Sequence, residues 1–332
     1  MVCFVELRIV TSIKVELRIG IKLGEKHSML YLQGDEAVQF NIDNTAVALG
    51  KFDGIHLGHQ LILDNLMKEK ELNRTTLVFT FGESPVSVLA GGSKKSIYTS
   101  YEKAYYFSQL GVDVLLEYPF TKEFAGITPE EFAGEYLSRQ LGVRSIYVGE
   151  DFHFGRGRSG NVAVLKDLGE QYGFSVHALP KKTLHGKVIS STAIRDMLAD
   201  KFYIANEMLG NPYFVYGEVI HGNHIGNTIG YPTINQSIPD NKLAPAFGVF
   251  ASRVVIDGVY YPAISNLGVK PTVENSHHCG LETYILDYSG NLYGQYVKTE
   301  LLFFIRPEEK FKSVEELKRQ IAADIQMMQE NI

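Results

Sequence analysis

The chain has 332 residues, of which 45% are apolar and 21% charged, with a formal net charge of −6. That length accommodates two domains with separate cores, and the composition is that of a soluble globular protein. A net negative balance excludes a long nucleic-acid groove, which needs a basic stripe, and no run approaches the roughly 18–20 apolar residues of a membrane span. Cys3 and Cys279 are the only cysteines, too few for a disulfide framework or a Cys-based zinc site. The chain reads as cytoplasmic, with small molecules as its partners, no nucleic acid and no membrane; a weak homo-oligomer stays open.

Val5-Glu6-Leu7-Arg8-Ile9 recurs as Val15-Glu16-Leu17-Arg18-Ile19. The echo is too short for a solenoid and too interrupted by charge for a signal peptide. Residues 1–28 are expected to be an upstream extension, with Met29 the start of the native protein. Mass spectrometry of that protein should then find no peptide from residues 1–28.

Thr45 to Leu49, Thr75 to Phe81, Val112 to Leu116 and Ser145 to Val148 are short apolar runs that read as strands. Leu57 to Leu72, Tyr101 to Leu110, Pro129 to Leu141 and Asn161 to Tyr172 suit helices. In the first of these, Ile62 with Leu66 and Leu63 with Met67 pair at i, i+4. Such alternation predicts a parallel sheet wrapped by helices, with ligands beyond the carboxyl ends of its strands.

Asp196 to Leu209 is the expected connector. After Leu209-Gly210-Asn211-Pro212 the chain becomes strand-like and turn-rich. Phe247 to Ile256 is expected to meet Tyr260 to Ile264 across Asp257-Gly258, and Leu281 to Leu286 to meet Tyr293 to Phe304 across Ser289-Gly290-Asn291. These hairpins predict a small antiparallel barrel. Ser313 to Met327 reads as a closing amphipathic helix, with Ser313 as N-cap and Glu316 as its capping-box partner. The expected division is a first domain over 29–200, a linker over 201–212 and a second domain over 213–332.

Two stretches look built for phosphate. In Gly50-Lys51-Phe52-Asp53-Gly54-Ile55-His56-Leu57-Gly58-His59, Gly50 and Gly54 let backbone approach a ligand, and the helix that follows offers N–H groups and a positive dipole end. His56 and His59 share a face if both lie in its first turn. Gly58 between them leaves room for a phosphate, and both imidazoles can donate hydrogen bonds to charge developing on phosphorus. In the second stretch, Gly226 and Gly230 flank a loop that runs into Pro232-Thr233-Ile234-Asn235. Thr233 and Asn235 are two apart on extended chain and point the same way. Their oxygens suit Mg²⁺ that holds ATP phosphates.

Ser190-Ser191-Thr192 offers hydroxyls ahead of Arg195, suited to phosphate, although by itself such a run is more often merely an N-cap. Gly155-x-Gly157-x-x-Gly160 has dinucleotide spacing but lies well past its strand and lacks the acidic residue expected about twenty positions on. His277-His278-Cys279 reads as a plain loop rather than a metal cluster, because adjacent side chains do not converge easily.

The His-x-Gly-His resembles that of the nucleotidyltransferase superfamily, and Ile189-Ser190-Ser191-Thr192-Ala193-Ile194-Arg195 is similar to that superfamily's late ATP-phosphate motif. Gly149-Glu150-Asp151-Phe152-His153-Phe154-Gly155-Arg156-Gly157 resembles a segment of its FAD synthetase subfamily. Gly217-Glu218-Val219-Ile220-His221-Gly222 with the Pro-Thr-x-Asn loop, Asn266 to Thr272, and Leu281 to Asp287 resemble the riboflavin kinase module. Their order is that of the bifunctional prokaryotic riboflavin kinase/FAD synthetase family, from about residue 30 to 330.

The resemblance implies a Rossmann-like nucleotidyltransferase domain followed by a β-barrel kinase with a terminal helix. It implies phosphorylation of riboflavin to FMN, then adenylylation of FMN to FAD with release of pyrophosphate, both with ATP and Mg²⁺. Catalysis then falls to His56, His59 and Glu282, with Glu282 the base. ATP binding falls to Gly50, Phe52, Asp53, Gly54, Gly58, Ser191, Thr192, Arg195, Gly226, Thr228 and Gly230. Flavin binding falls to Asp151, Phe154, Asn266, Pro271 and Thr272, and Mg²⁺ to Thr233 and Asn235. The chain departs from the family at Ser84-Pro85, where His-Pro or Asn-Pro is common, and at Asn227 and Lys270, each in place of an Arg. An active kinase with a degenerate first domain, and a flavin-binding regulator without turnover, are the alternatives.

Overall fold

A computed structural model describes residues 29–34, 42–82, 95–222, 226, 229–271 and 277–332. They fall into two compact units, one within residues 1–94 and 103–189, the other formed by 95–102 and 190–332.

The first unit is built on a six-stranded sheet in the order β1-β4-β3-β2-β5-β8, parallel throughout. Its strands are β1 (Leu30–Gln33), β2 (Thr45–Leu49), β3 (Thr75–Phe81), β4 (Val114–Tyr118), β5 (Val143–Gly149) and β8 (Ser175–Leu179). β2 and β4 are buried at every position, as strands covered on both faces must be. That is why they read as mainly apolar runs rather than alternations; the charged exception, Glu117, is buried and paired to Lys103. Helices α1 (Leu57–Lys68), α2 (Ser100–Leu110), α3 (Pro129–Glu131, continuing over Phe132–Gln140) and α4 (Val162–Tyr172) connect the strands. Val47, Leu77, Phe79, Leu116 and Ile146 form the sheet side of a core that Phe132, Leu137 and Leu165 complete from the helices.

Small boundary differences have local causes. β4 starts at Val114 rather than Val112 because the Val112 N–H closes the preceding helix onto Phe107 O (3.1 Å). The predicted α4 starts one residue late because Asn161 is its N-cap, accepting from Val164 N–H at 3.1 Å. Gly155 to Ser159 forms a tight loop between two short paired strands, β6 (His153–Phe154) and β7 (Gly160–Asn161), not a strand-to-helix phosphate turn, and β9 (Thr183–Leu184) and β10 (Lys187–Val188) form a second short antiparallel pair.

The chain runs β2, β3, β4 to one side and then returns to place β5 on the other edge of β2. The carboxyl ends of β2 and β5 therefore diverge into loops that leave in opposite directions, which is where an open α/β sheet forms its ligand crevice. The loop after β2 carries Gly50 to His56, and the loop after β5 carries Glu150 to Phe152.

The second unit holds a six-stranded antiparallel sheet ordered β11-β16-β13-β14-β15-β12. Its strands are β11 (Tyr213–Glu218), β12 (Thr233–Ile238), β13 (Gly248–Ile256), β14 (Val259–Pro271), β15 (His277–Ile285) and β16 (Tyr296–Arg306). A bridge between Ile220 and Asn235 brings the two end strands together. Buried Gln236 ties the closure, donating to Gly217 O (3.1 Å) and Val297 O (3.0 Å) and accepting from Thr299 Oγ1 (2.6 Å). The result is the nearly closed barrel expected. Inside it, Ser252, Ser265 and Thr283 form a cross-strand row of hydroxyls 2.7 and 2.8 Å apart.

The Asp257-Gly258 hairpin is present, with both residues at positive φ (50° and 78°) as its turn requires. The second predicted hairpin is not. β15 has β14 on one edge and β12 on the other, while β16 lies between β11 and β13. Leu292 is buried in the core instead, and Gly294 N–H and Gln295 O bond the backbone of Val219. The segment after Ser289-Gly290-Asn291 thus pairs with the continuation of β11. His277 to Cys279 also differ from the loop expected for them and open β15.

The connector forms two helices, α5 (Ser191–Leu198) and α6 (Phe202–Leu209). The last helix, α7 (Val314–Asn331), packs Met328 against Val249, Ala251 and Ile264 on the outer face of the barrel. Ser313 caps it as predicted, accepting from Glu316 N–H at 3.1 Å, but the Glu316 carboxylate reaches back to Lys312 N–H rather than to Ser313.

Lys242 and Glu102 are paired at 2.6 Å with both side chains dry. The ammonium also donates to Ile97 O and lies 4.4 Å from the Tyr213 ring centre; Glu102 accepts from the N–H groups of Thr99 and Tyr216. Removing one partner strands a charge, at a cost of about 3–5 kcal/mol, whereas replacing both with apolar groups is far cheaper. Lys242→Met should lower the urea midpoint of the second unit sharply, and Lys242→Met with Glu102→Leu should restore most of it.

Candidate active sites

In the first unit, β2 ends at Leu49 and Gly50 N–H still bonds Phe79 O (3.2 Å), so the turn starts in register with β3. Thr80 Oγ1 holds its next carbonyl, that of Lys51. Phe52, Gly54 and Ile55 all take positive φ (47°, 85° and 42°). For Phe and β-branched Ile this costs on the order of 1–3 kcal/mol each. Burial of both side chains, 0% and 1% exposed, returns roughly 1.5–3 kcal/mol apiece and holds the turn in place.

The turn delivers His56 as the N-cap of α1, its Nδ1 accepting from His59 N–H at 3.3 Å. That bond leaves the proton on Nε2. The two imidazoles stack, centres 3.7 Å apart and 14° from parallel, which realises the shared face expected of them. Gly58 has a more specific role than leaving room for phosphate: a Cβ there would stand 3.2 Å from the His56 ring. Burial lowers the His56 pKa to about 4, against the opposing effects of its own backbone hydrogen bond and nearby Asp53. Burial, then the neighbouring His56, holds His59 well below the usual histidine range. Both rings are neutral at pH 7. His59 Nδ1 is buried without a hydrogen-bond partner, an unsatisfied group of the kind that collects at functional sites.

Gly50, Phe52, Asp53, Gly54, His56, Gly58 and His59 are therefore brought together at the carboxyl end of β2. Ser191, Thr192 and Arg195 lie on α5, in the other unit. Ser190 caps that helix by accepting from Ala193 N–H (3.2 Å), which leaves Ser191 and Thr192 in its first turn. Arg195 donates to Lys95 O at 2.5 Å. After β5, Asp151 is exposed and ion-paired to Lys181 (2.9 Å). Phe154, the other residue expected at the flavin, follows on β6. It is 8% exposed, its ring lies over Gly160 and packs on Phe132 and Phe152, and only the Phe152 ring of that stack is partly exposed.

In the second unit, strand register does the assembling. Asn235 on β12 stands opposite Glu282 on β15, and Glu282 stands opposite Asn266 on β14. Directly opposed residues point to the same face, so the three form one polar row across three strands. Thr233 lies two residues along on that same face, opposite Tyr284. The loop preceding β12 presses on these side chains. A Cβ on Gly222 would come within 2.3 Å of the Asn235 amide, and one on Gly226 within 3.3 Å of Thr233 Oγ1 and 2.3 Å of Tyr231 O. Gly222, four residues past the end of β11, thus lies against Asn235, a contact that a glycine in an irregular segment does not announce in the sequence. Gly230 has φ 85° and ends the loop. Pro271 is the last residue of β14. Thr228 and Thr272 lie outside the described residues, as do Ser84, Pro85 and Asn227.

Residues 39–193 match the family model described as FAD synthetase, and residues 209–332 match that described as riboflavin kinase. The chain is 36% identical over 286 residues to the bifunctional riboflavin kinase/FMN adenylyltransferase of Escherichia coli (strain K12), covering 85% of this chain and 91% of that protein. It is 37% identical over 289 residues to the protein of the same description from Haemophilus influenzae, covering 86% and 93%. The chain belongs to the bifunctional riboflavin kinase/FMN adenylyltransferase family. A crystal structure described as a macrolide-efflux protein from Streptococcus pneumoniae superposes with a TM-score of 0.75 at 30% identity, covering 90% of this chain and 98% of that one. Among the described residues no helix is long and apolar enough to cross a membrane.

Family membership gives the neutral histidine pair a chemical meaning, and the pair has a measurable signature. An unfolded histidine titrates near 6.5, but His56 in the fold titrates near 4. The unfolded chain therefore binds the extra proton as pH falls between those values, and stability drops across that window by about 3 kcal/mol for this group. Urea midpoints should fall from pH 6.5 to pH 4, and His56→Asn, which keeps a capping oxygen, should flatten part of that decline. An equal slope in wild type and variant would contradict the burial-driven shift.

Proposed function

We infer that the chain catalyses two consecutive reactions. The barrel phosphorylates riboflavin with ATP to give FMN and ADP, and the α/β unit adenylylates FMN with a second ATP to give FAD and pyrophosphate. What carries the reading is that the two matched segments each hold an assembled constellation: the stacked His56–His59 pair in one and the Asn235–Glu282–Asn266 row in the other.

In the kinase reaction, Glu282 accepts the proton of the terminal ribityl hydroxyl as that oxygen attacks the γ-phosphorus and ADP leaves. Its neighbour in the row, Asn235, and Thr233 supply hard oxygen donors of the kind Mg²⁺ takes. Among the described residues no cluster of three or more His, Cys, Asp or Glu competes as a metal site. When bound there, Mg²⁺ neutralises phosphate charge. Gly226, Thr228 and Gly230 are assigned to the nucleotide, and Asn266, Pro271 and Thr272 to the flavin.

In the adenylyl transfer, an FMN phosphate oxygen attacks the α-phosphorus of ATP and pyrophosphate departs. His56 and His59 are neutral donors: His56 Nε2–H faces away from its own cap bond and is available to a phosphoryl oxygen. A neutral imidazole N–H is too weak an acid to give up its proton near pH 7, so the pair stabilises the transition state rather than acting as acid. Gly50 to Gly54 supply backbone to the nucleotide. Ser191, Thr192 and Arg195 are assigned to its phosphates, and Asp151 and Phe154 to the flavin. We take residues 29–200 and 213–332 as the two catalytic domains and the cytoplasm as their place of action.

Purified protein given riboflavin and Mg-ATP is expected to form FMN and then FAD, and FAD directly when FMN is supplied. His59→Ala should reduce FAD formation at least a hundredfold with FMN formation intact. Glu282→Gln should do the reverse. Loss of both products from either variant, in a protein that still melts cooperatively, would defeat the two-site assignment.

A further inference from the structure

Glu308 lies just beyond β16, exposed and outside every motif recognised in the sequence. Its carboxylate Oε1 accepts from Asn266 Nδ2 at 3.0 Å. The same oxygen fills the slot beside Gly268, where a Cβ would stand 2.1 Å from it. Gly268 follows Asn266 by two residues on the same strand face, so the missing side chain there is what lets Glu308 lie against the sheet. Asn266 is the end member of the row that contains Glu282.

A carboxylate can only accept at neutral pH, so it selects one of the two amide orientations of Asn266. The NH₂ group must face Glu308 and Oδ1 must face away from it. That Oδ1 is buried with no hydrogen-bond donor to it, a state that costs free energy until a donor arrives. The reacting alcohol is a polyol, and its hydroxyls are donors.

We propose that Glu308 is a positioning residue of the kinase site, holding Asn266 so that Oδ1 accepts a hydroxyl of the substrate's polyol chain. This rests on the kinase reading of the barrel. Glu308 does not act as the base, because Asn266 stands between it and Glu282 in the row.

The test is steady-state FMN formation by the full chain, with riboflavin and Mg-ATP varied separately. Glu308→Ala should raise the KM for riboflavin about tenfold, the size expected for one misoriented hydrogen bond, with the KM for Mg-ATP and the melting temperature unchanged. Glu308→Gln, which retains an acceptor, should recover most of that loss. Gly268→Ala, which fills the slot, should reproduce it. In an Asn266→Ala background, Glu308→Ala should add nothing further. An unchanged riboflavin KM in both Glu308 variants, or full additivity with Asn266→Ala, overturns the positioning role while leaving the kinase assignment standing. A wild-type protein that forms no FMN overturns the kinase reading itself.

Discussion

The second unit depends on the fact that a strand has only two edges. β15 uses one on β14 and the other on β12, and that double pairing puts Asn235, Glu282 and Asn266 side by side although they are far apart in sequence. A slip of one residue in either ladder would turn Glu282 to the opposite face from one of its neighbours. The register is pinned from the other side of the sheet, where the Ser252–Ser265–Thr283 hydroxyl row is buried and fully bonded across three strands. The polar row of the site and the hydroxyl row of the interior are thus two faces of one constraint.

The first unit solves a different problem. A parallel sheet offers no cross-strand row at its carboxyl ends, only loops, so its site must be held by the loop's own packing. The Gly50–His56 turn manages this by accepting unfavourable backbone at Phe52 and Ile55 and burying both side chains beneath it. The same burial desolvates His56 and His59. A charged pair stacked 3.7 Å apart would combine desolvation cost with mutual repulsion, and neutrality removes both. Rigid neutral donors suit a reaction in which charge moves among phosphate oxygens and no proton need be supplied.

Much of this was legible in the sequence because local chemistry enforced it. The runs Thr45–Leu49 and Thr75–Phe81 could only be covered strands, Asp257-Gly258 could only be a tight turn, and Ser313 sat where a helix cap belongs. The short edge strands Leu30–Gln33 and Ser175–Leu179 carried too little pattern to stand out: one has four residues, and the other mixes polar and apolar positions without a buried face. The hairpin expected across Ser289-Gly290-Asn291 failed for a reason no local window contains. The turns fall instead at Leu286-Asp287 and Tyr293-Gly294, and both strands commit their edges to other partners.

By itself, the sequence determined the family and the order of its two segments, since glycine turns, a His-x-Gly-His step and a Thr-x-Asn step are local patterns that survive without knowledge of the fold. Only the tertiary structure decided which of them meet. It stacked His56 on His59 and stripped both of water, turned Phe154 into the core, and brought Glu308 to Asn266 across the gap left by Gly268. Burial and strand register depend on the whole fold, so the charge state of a histidine and the orientation of an amide cannot be read from the residues beside them.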